Sequence, residues 1–231
     1  MRKVWMGFVW VLVAWPALAA EPSPYIVAYN ETTAPMLPLV KALYAEIGMH
    51  PTFVLVPSER AITETNRGVY DADLSRVPFA MELYPNVIHT REPLKKTELF
   101  AYVKQDAALS VSRPEDVKGH TLGMLRGSKL SEDFARRQGV TPVVSNGSES
   151  FYQMLAAGRF EIALVTSTQL LSPSDRMMTQ AKRVGPVLTS THSYHILNKR
   201  HADLVPQLDA GIRAMRADGR LARLLQRVDN P

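Results

Sequence analysis

The stretch 118–137 has the pattern of a short apolar strand, a sharp turn and a helix, and its turn carries groups that bind anions. The turn is Arg126-Gly127, and the helix is predicted to begin at Ser128. A hydroxyl at a helix N-cap accepts one first-turn N–H, while the other N–H groups and the positive end of the helix dipole point ahead of the helix. Gly127 lets a ligand approach the backbone without meeting a Cβ. We expect Gly127 and Ser128 to bind a carboxylate or phosphate, with Arg126 as a third ligand-binding residue if it faces the cleft and not solvent; an ordinary strand-to-helix turn is the alternative.

Two more arginines stand where a ligand would meet them. Arg76 directly follows a predicted strand, and open α/β sheets bind ligands at the carboxyl ends of their strands. Its guanidinium suits a carboxylate, although a surface arginine would have the same pattern. Arg60 stands in the first turn of a predicted helix, where a cation is unfavourable beside the dipole. We interpret Arg60 as ligand-facing or as the partner of Glu59 or Glu64.

One aromatic side chain completes the candidates drawn from the residues alone. Tyr29 ends the first predicted strand and is either a wall of the site or part of the core. The chain has no Gly-x-Ser-x-Gly, Ser-x-x-Lys, phosphate loop or His-Glu-x-x-His. His192 and His195, on a strand-like segment, are predicted to point to opposite faces. We predict no catalytic residue, no metal and no cofactor.

The N-terminus has the features of an export signal. Met-Arg-Lys precedes the uncharged run Val4–Ala20, which has small residues at Ala17 and Ala19. We predict a signal peptide over 1–19, cleaved near Ala19, and a periplasmic protein. The alternative is an uncleaved anchor, because the run is at the lower limit for spanning a bilayer.

Composition restricts the class of protein. The 231 residues include no Cys, so we expect neither a disulfide nor a lipid-modified N-terminus. The formal charge of +5 falls to +3 once Arg2 and Lys3 are removed, which is too small to indicate nucleic-acid binding.

Two series of alternating strands and helices follow, and each predicts a mostly parallel sheet flanked by helices. The segment between them, Thr97–Lys104, is β-like and has no Gly or Pro, which suits a crossover strand. We therefore predict two α/β lobes with a cleft between them. The predicted strands are Tyr25–Tyr29, Thr52–Val56, Asp71–Ser75, Thr121–Leu125, Thr141–Val144 and Glu161–Thr166.

The tail Asp203–Val228 is predicted to be helical, with an apolar side and a face of arginines. We interpret it as a cover for the first lobe with a solvated arginine face. The alternative is a docking stripe for an acidic partner or an anionic membrane. The arginines are Arg213, Arg216, Arg220, Arg223 and Arg227.

The order of these parts resembles periplasmic solute-binding proteins of the family-3 type, whose best-known members bind polar amino acids for ABC transporters. The likeness covers nearly the whole chain after the leader. The segments that carry it are Arg67–Asp71, Tyr84–Leu94, Asp116–Gly119, Gly123–Ser128, Leu155–Glu161 and Arg216–Gly219.

The resemblance implies a type II periplasmic binding fold with two crossover strands. Lobe 1 would be residues 20–101 completed by 192–231, and lobe 2 residues 102–191. In amino-acid-binding members the turn matching Gly127-Ser128 holds the α-carboxylate, together with an Arg from the first lobe, and an Asp from the second lobe holds the α-amino group.

The chain departs from that pattern twice. The segment that usually carries the arginine reads Ala80-Met81-Glu82-Leu83, which leaves Arg76 as the candidate substitute. The position of the usual Asp falls near Thr166, which has no carboxylate but is predicted to contact the ligand from the second lobe. Glu31, Glu92 and Glu149 are the candidates for a negative group.

These observations predict a protein that closes around a small polar solute, carboxylate-bearing or amino-acid-like, and delivers it to an ABC permease. Two alternatives stay open. One is a stand-alone module that reports to a membrane sensor, and the other is a dehydratase-like enzyme on the same fold. We expect a monomer.

Overall fold

The computed structural model describes residues 24–171 and 180–229, and the predicted signal peptide lies outside them. The elements follow one another as strands and helices in two series, as predicted. The strands are β1 Ile26–Tyr29, β2 Thr52–Leu55, β3 Ala72–Arg76, β4 Val87–His89, β5 Lys95–Lys104, β6 Leu122–Leu125, β7 Val143–Ser145, β8 Ile162–Thr166 and β9 Ala181–Asn198. The helices are α1 Leu37–Glu46, α2 Ser58–Arg67, α3 Lys129–Gln138, α4 Ser148–Ala156, α5 Val205–Ala217 and α6 Arg220–Asp229.

The first lobe is built on the parallel strands β2, β1 and β3, in that order. β9 pairs antiparallel with β3, and β4 pairs antiparallel with β9. Apolar side chains of β1 and β3, such as Val27 and Leu74, form one core with Leu43 of α1 and Ile212 of α5. The C-terminal helices therefore complete the first lobe.

The second lobe repeats this arrangement with the parallel strands β7, β6 and β8, and β5 pairs antiparallel with β8. One face of its sheet packs against Phe134 of α3. The other face packs against Phe151 and Phe160, whose stacked rings lie 5.3 Å apart. Each lobe is thus a mostly parallel sheet flanked by helices.

Two long antiparallel strands, β5 and β9, run from one lobe into the other. Their register pairs Lys95 with Ser193 at one end and Lys104 with Ala181 at the other, with an irregularity between Leu99 and Ala101. The crossover predicted at Thr97–Lys104 is thus β5, and β9 is its partner. A pair of hydrogen-bonded strands resists stretching but permits bending, which suits a connection between lobes.

Glycines end the helices where the sequence predicted. α2 ends at Gly68, whose φ of +79° is left-handed and whose N–H bonds the carbonyls of Glu64 and Thr65. The predicted tail is two helices, α5 and α6, because the chain turns at Asp218 and Gly219, where Gly219 has a φ of +74°. Among the described residues, none of the helices is both long and apolar enough to cross a bilayer.

The two histidines of β9 lie on opposite faces, as predicted. His192 is exposed, whereas His195 is fully buried. His195 Nδ1 lies 3.0 Å from the Leu74 carbonyl oxygen and Nε2 lies 2.8 Å from the Tyr44 hydroxyl. Burial lowers the pKa of His195 to about 4, so this neutral imidazole belongs to the core of the first lobe.

Candidate functional site

A cavity lies between the lobes where the strands of both sheets end and the crossover strands pass. We call it the inner cavity; its volume is about 90 Å³. The first lobe contributes the segments after β1 and β3, and the second contributes the β6–α3 turn and the end of β8. Its lining residues are Asn30, Thr32, Thr33, Ser58, Ser75, Arg76, Val77, Ala80, Thr97, Leu125, Arg126, Gly127, Ser128, Lys129, Leu130, Thr166, Thr168 and Ser193.

A larger space of about 570 Å³ adjoins it, and we call this the outer cavity. The two cavities share the α3 turn, Ser58 and part of the loop after β1. Three carboxylates, those of Glu31, Glu59 and Glu132, line the outer cavity. A ligand in the inner cavity therefore has room to extend past the α3 turn.

The β6–α3 turn faces the inner cavity, but Ser128 does not cap the helix as predicted. The Ser128 hydroxyl lies 2.8 Å from the Ser131 hydroxyl and accepts no first-turn N–H. The difference is local, because the Ser128 hydroxyl is instead hydrogen-bonded to the buried Ser131 in the same turn. The first-turn residues Lys129 and Leu130 line the cavity, so the start of the helix is directed at it without a side-chain cap.

Position 127 favours glycine for two reasons: its left-handed backbone conformation and the close approach of Ser58. Its φ of +78° lies in the left-handed region, which costs other residues about 1–2 kcal/mol. A Cβ here would stand 3.1 Å from both Cβ and Oγ of Ser58 in the first lobe. The lobes therefore touch at Gly127 and Ser58.

Arg76 lines the cavity but is held by its own lobe. Its Nε donates to Asp73 Oδ2 at 2.6 Å, and its two terminal nitrogens donate to the Ser58 hydroxyl, at 2.8 Å, and the Ser58 carbonyl. Burial raises the pKa of Asp73, and the charge of Arg76 opposes that shift. Arg76 is 7% exposed and Asp73 is fully buried, so the pair is an anchored part of the cavity wall.

The second lobe adds two more cations at the turn. Arg126 donates from Nε to Asn146 Oδ1 at 2.6 Å and lines both cavities. Lys129 Nζ lies 3.0 Å from Glu132 Oε2 in its own helix and 3.6 Å from Glu59 Oε2 in the first lobe. Burial alone would lower the pKa of Lys129, but the two carboxylates raise it above its ordinary value.

Glu59, the first-lobe partner of Lys129, has a further contact. Tyr84 donates its hydroxyl to Glu59 Oε1 at 2.6 Å. This hydrogen bond, followed by the charge of Lys129, lowers the pKa of Glu59 against the opposing effect of burial. Glu59 is thus a fixed carboxylate that connects the lobes.

Thr166 lines the cavity at the end of β8, but its side chain is engaged. Its hydroxyl accepts the Gln169 N–H at 3.3 Å, and its own N–H donates to Gln169 Oε1 at 2.7 Å. This reciprocal pair fixes the turn that follows β8. Thr166 therefore shapes the wall.

The structure brings together five of the predicted site residues in the inner cavity and places two elsewhere. Tyr29 is half-buried and packs against the first-lobe core, which is the alternative interpretation of this residue. Arg60 is exposed on α2 and does not line either cavity. The five are Arg76, Arg126, Gly127, Ser128 and Thr166.

The candidate carboxylates lie away from the inner cavity. Glu92 accepts from Arg213 and Arg216 on α5, the latter at 2.6 Å. Glu149 is exposed and accepts from Gln153, at 3.2 Å. Glu31 lines only the outer cavity among these two spaces.

Two hydroxyls of the site were missed by sequence reasoning. Thr97 on β5 and Ser193 on β9 are each 5% exposed and line the inner cavity. Neither side-chain oxygen has a hydrogen-bond partner in the structure. Their only sequence signal was the crossover position of Thr97, because the pairing of β9 with β5 was not predicted.

The fold is shared with known binding proteins. The chain is similar to ArgBP from T. maritima, with a TM-score of 0.75 and 14% identity over 90% of this chain and 96% of that one. It is similar to a histidine kinase sensor domain with similarity to periplasmic binding proteins, with a TM-score of 0.75 and 16% identity over 89% and 95% of the two chains. It is also similar to the GluR0 ligand-binding core in complex with L-glutamate, with a TM-score of 0.77 and 13% identity over 88% and 97%.

These structural similarities establish the fold class of the chain. The chain has the two-lobed type II periplasmic binding protein fold, the fold of family-3 solute-binding proteins, as the sequence resemblance implied. At 13–16% identity they define the fold alone. No protein-family model matches the sequence, and no curated protein matches it.

Proposed function

We propose that this is a periplasmic solute-binding protein that closes its lobes on a small polar ligand, carboxylate-bearing or amino-acid-like. The observation that carries the proposal is the inner cavity, which Arg76 of one lobe and the start of α3 in the other line together. An anion between them contacts both lobes and favours the closed arrangement over the open one.

The proposed role is delivery of the ligand to an ABC permease by a monomer that is exported by the leader 1–19. In this proposal residues 20–101 and 192–231 form one lobe and 102–191 the other, so the crossover strands are the hinge. Ligand binding is the whole activity, with no catalysed reaction.

Reporting to a membrane sensor is the second candidate, and the fold likeness to a histidine kinase sensor domain favours it. The two roles differ in their partner. A transporter component binds a permease in its ligand-bound form, whereas a sensing module binds the extracytoplasmic part of a receptor. Pull-down from solubilised membranes with and without ligand, followed by mass spectrometry, distinguishes them.

Thermal unfolding tests the binding function. A panel of amino acids, hydroxy acids and dicarboxylates is screened with the purified mature chain. A ligand at one hundred times its Kd adds about 2.7 kcal/mol to the native state. For a domain of this size that raises Tm by about 5–10 °C. No shift with any member of the panel would contradict the proposal.

The start of α3 provides the matched variants. Lys129 is the first helical residue and Ser128 has a φ of −76° and a ψ of 82°, so Lys129→Pro removes the Lys129 N–H at a position that tolerates proline. Lys129→Ala removes the same side chain but keeps that N–H. We expect Lys129→Pro to abolish most of the ligand-induced Tm shift and Lys129→Ala to retain most of it. Equal shifts would contradict the role of the helix start.

A further inference from the structure

The charges of the inner cavity are of one sign. Among the described residues that line it, every charged side chain is an Arg or a Lys, and nine of the eighteen lining residues are Ser or Thr. Behind its wall, the Asp73 carboxylate is fully buried; its Oδ2 accepts from Arg76 Nε at 2.6 Å, and its Oδ1 has no hydrogen-bond partner in the described part of the chain. The polar side chains that a ligand meets there are hydroxyls, cations and the amide of Asn30, whose Oδ1 already accepts from the Thr32 and Thr33 N–H groups.

Two of the hydroxyls are placed to bind a ligand. Thr97 lies opposite Thr191 and Ser193 lies opposite Lys95 in the antiparallel pair of β5 and β9, so both side chains project from the same face as diagonal neighbours. Each oxygen is buried without a partner, which costs free energy unless a bound molecule supplies one. They line the cavity from the crossover strands, and the start of α3 lines the same cavity.

The size of the inner cavity limits what is buried there. Its volume of about 90 Å³ is smaller than the about 150 Å³ of an engineered cavity that binds benzene. It therefore holds the head of a ligand, and the outer cavity of about 570 Å³ holds the remainder. Of these two spaces, the three carboxylates that would attract a cation, Glu31, Glu59 and Glu132, line only the outer cavity, and Glu59 and Glu132 both contact Lys129.

We infer that the buried head of the ligand is an oxyanion with no ammonium group on the adjacent carbon, as in a 2-hydroxy or 2-keto carboxylate. This inference rests on the proposed function and narrows its ligand class. An α-ammonium group in the inner cavity would be desolvated beside cations with hydroxyls as its acceptors, which is unfavourable for a charge. A hydroxyl or keto oxygen at the same carbon instead exchanges hydrogen bonds with Thr97 and Ser193.

Isothermal titration calorimetry with matched pairs tests this. The pairs are L-lactate with L-alanine, L-malate with L-aspartate, and 2-hydroxyglutarate with L-glutamate, and inorganic phosphate and sulfate are titrated separately. We expect at least one hydroxy acid to bind ten times more tightly than its amino partner, or more. An amino acid that binds as tightly as its hydroxy partner overturns the inference and leaves the proposed function standing.

The hydroxyls are tested with Thr97→Val and Ser193→Ala together, and Ser190→Ala on an exposed part of β9 is the control. We expect the double variant to weaken binding of the preferred acid at least tenfold and the control to leave it unchanged. Unchanged binding by the double variant overturns the inference.

The remaining outcomes separate the sources of the oxyanion. Binding of phosphate or sulfate alone, with the same loss in the double variant, supports the ammonium-free head but assigns it to an inorganic ion, which overturns the carboxylate in the proposed function. Binding of none of these compounds overturns both the inference and the proposed function.

Discussion

The Arg76 side chain both lines the inner cavity and pairs with the buried Asp73 carboxylate. Three of its five N–H groups are used by Asp73 and Ser58, which fixes the plane of the guanidinium at the cavity wall. The same contacts supply the countercharge of a fully buried carboxylate. Truncating Arg76 would therefore remove both a proposed ligand contact and the partner of Asp73, so the loss of binding in Arg76→Ala would not by itself identify a ligand-binding residue.

The contribution of the Arg76–Asp73 pair to stability is measured by replacing Asp73 and not Arg76. We expect Asp73→Ala to lower the free energy of unfolding by about 3 kcal/mol, because it leaves a buried guanidinium without its partner. The control is Glu64→Ala, which breaks the ion pair with Arg67, whose side chain is 67% exposed, and should cost less than about 1 kcal/mol. Urea unfolding gives both values. Equal losses would show that the buried pair contributes no more to stability than the exposed one.

The β6–α3 turn connects a strand to a helix within the second lobe, and it also contacts the first lobe. Gly127 carries the left-handed backbone of the turn and approaches Ser58 at the start of α2. Gly139, which ends α3, has a similar φ of +71°, but a Cβ there would meet nothing within 4 Å. The two glycines therefore share a backbone requirement, whereas of the two only Gly127 contacts the other lobe and lines the cavities.

Comparing the two glycines separates the effect of backbone strain on stability from the effect of lobe contact on ligand binding. Gly127→Ala and Gly139→Ala should each lower the free energy of unfolding by about 1–2 kcal/mol, the cost of left-handed backbone in a residue with a Cβ. Only Gly127→Ala should also weaken ligand binding, by about tenfold, because its methyl group presses on Ser58 in the closed arrangement. Calorimetric titration checks this, and a similar loss of affinity in Gly139→Ala would refute the specific role of the turn.

The elements were predictable because each series carries local signals. β6 and α3 appear within one residue of the prediction, since an apolar run, a Gly and a polar first turn are all short-range features. β4 and the length of β9 were not predicted, because their pairing is antiparallel and depends on residues far away in sequence. The surroundings of Thr97 and Ser193 depend on packing in the same way, which is why these hydroxyls were missed. The Ser128 hydroxyl differs, because its partner Ser131 is only three residues away along the chain.

In the part of the chain that the structure describes, the lobes are connected by strands β5 and β9, by the contact of Gly127 with Ser58 and by one ion pair across the cleft. Lys129 of the second lobe lies 3.6 Å from Glu59 of the first, and Tyr84 holds Glu59 in place. The Glu59 side chain is 59% exposed, so solvent screens the pair and its contribution is small. We therefore expect this ion pair to change the equilibrium between open and closed forms only slightly, by less than a bound ligand would.

We expect Glu59→Gln to shift the ligand-free population toward the open form by up to about fivefold, the equivalent of about 1 kcal/mol for an exposed pair. Glu132→Gln is the control, because it removes the other partner of Lys129 without touching the first lobe. Single-molecule energy transfer between dyes on the two lobes reports the populations. A larger shift in Glu132→Gln than in Glu59→Gln would contradict the role of the interlobe pair.

The way in which the second lobe interrupts the first has a consequence for the order of folding. Leu99 through Leu188 supply the main core of the second lobe, so a nascent chain holds that core well before it is complete. The first core joins Val27 and Leu43 to Ile212, Met215 and Leu221, and it must close a loop of most of the chain. A chain that ends before Leu221 therefore contains the residues of the second core but lacks part of the first, and the apolar surface left exposed on the first sheet would favour aggregation.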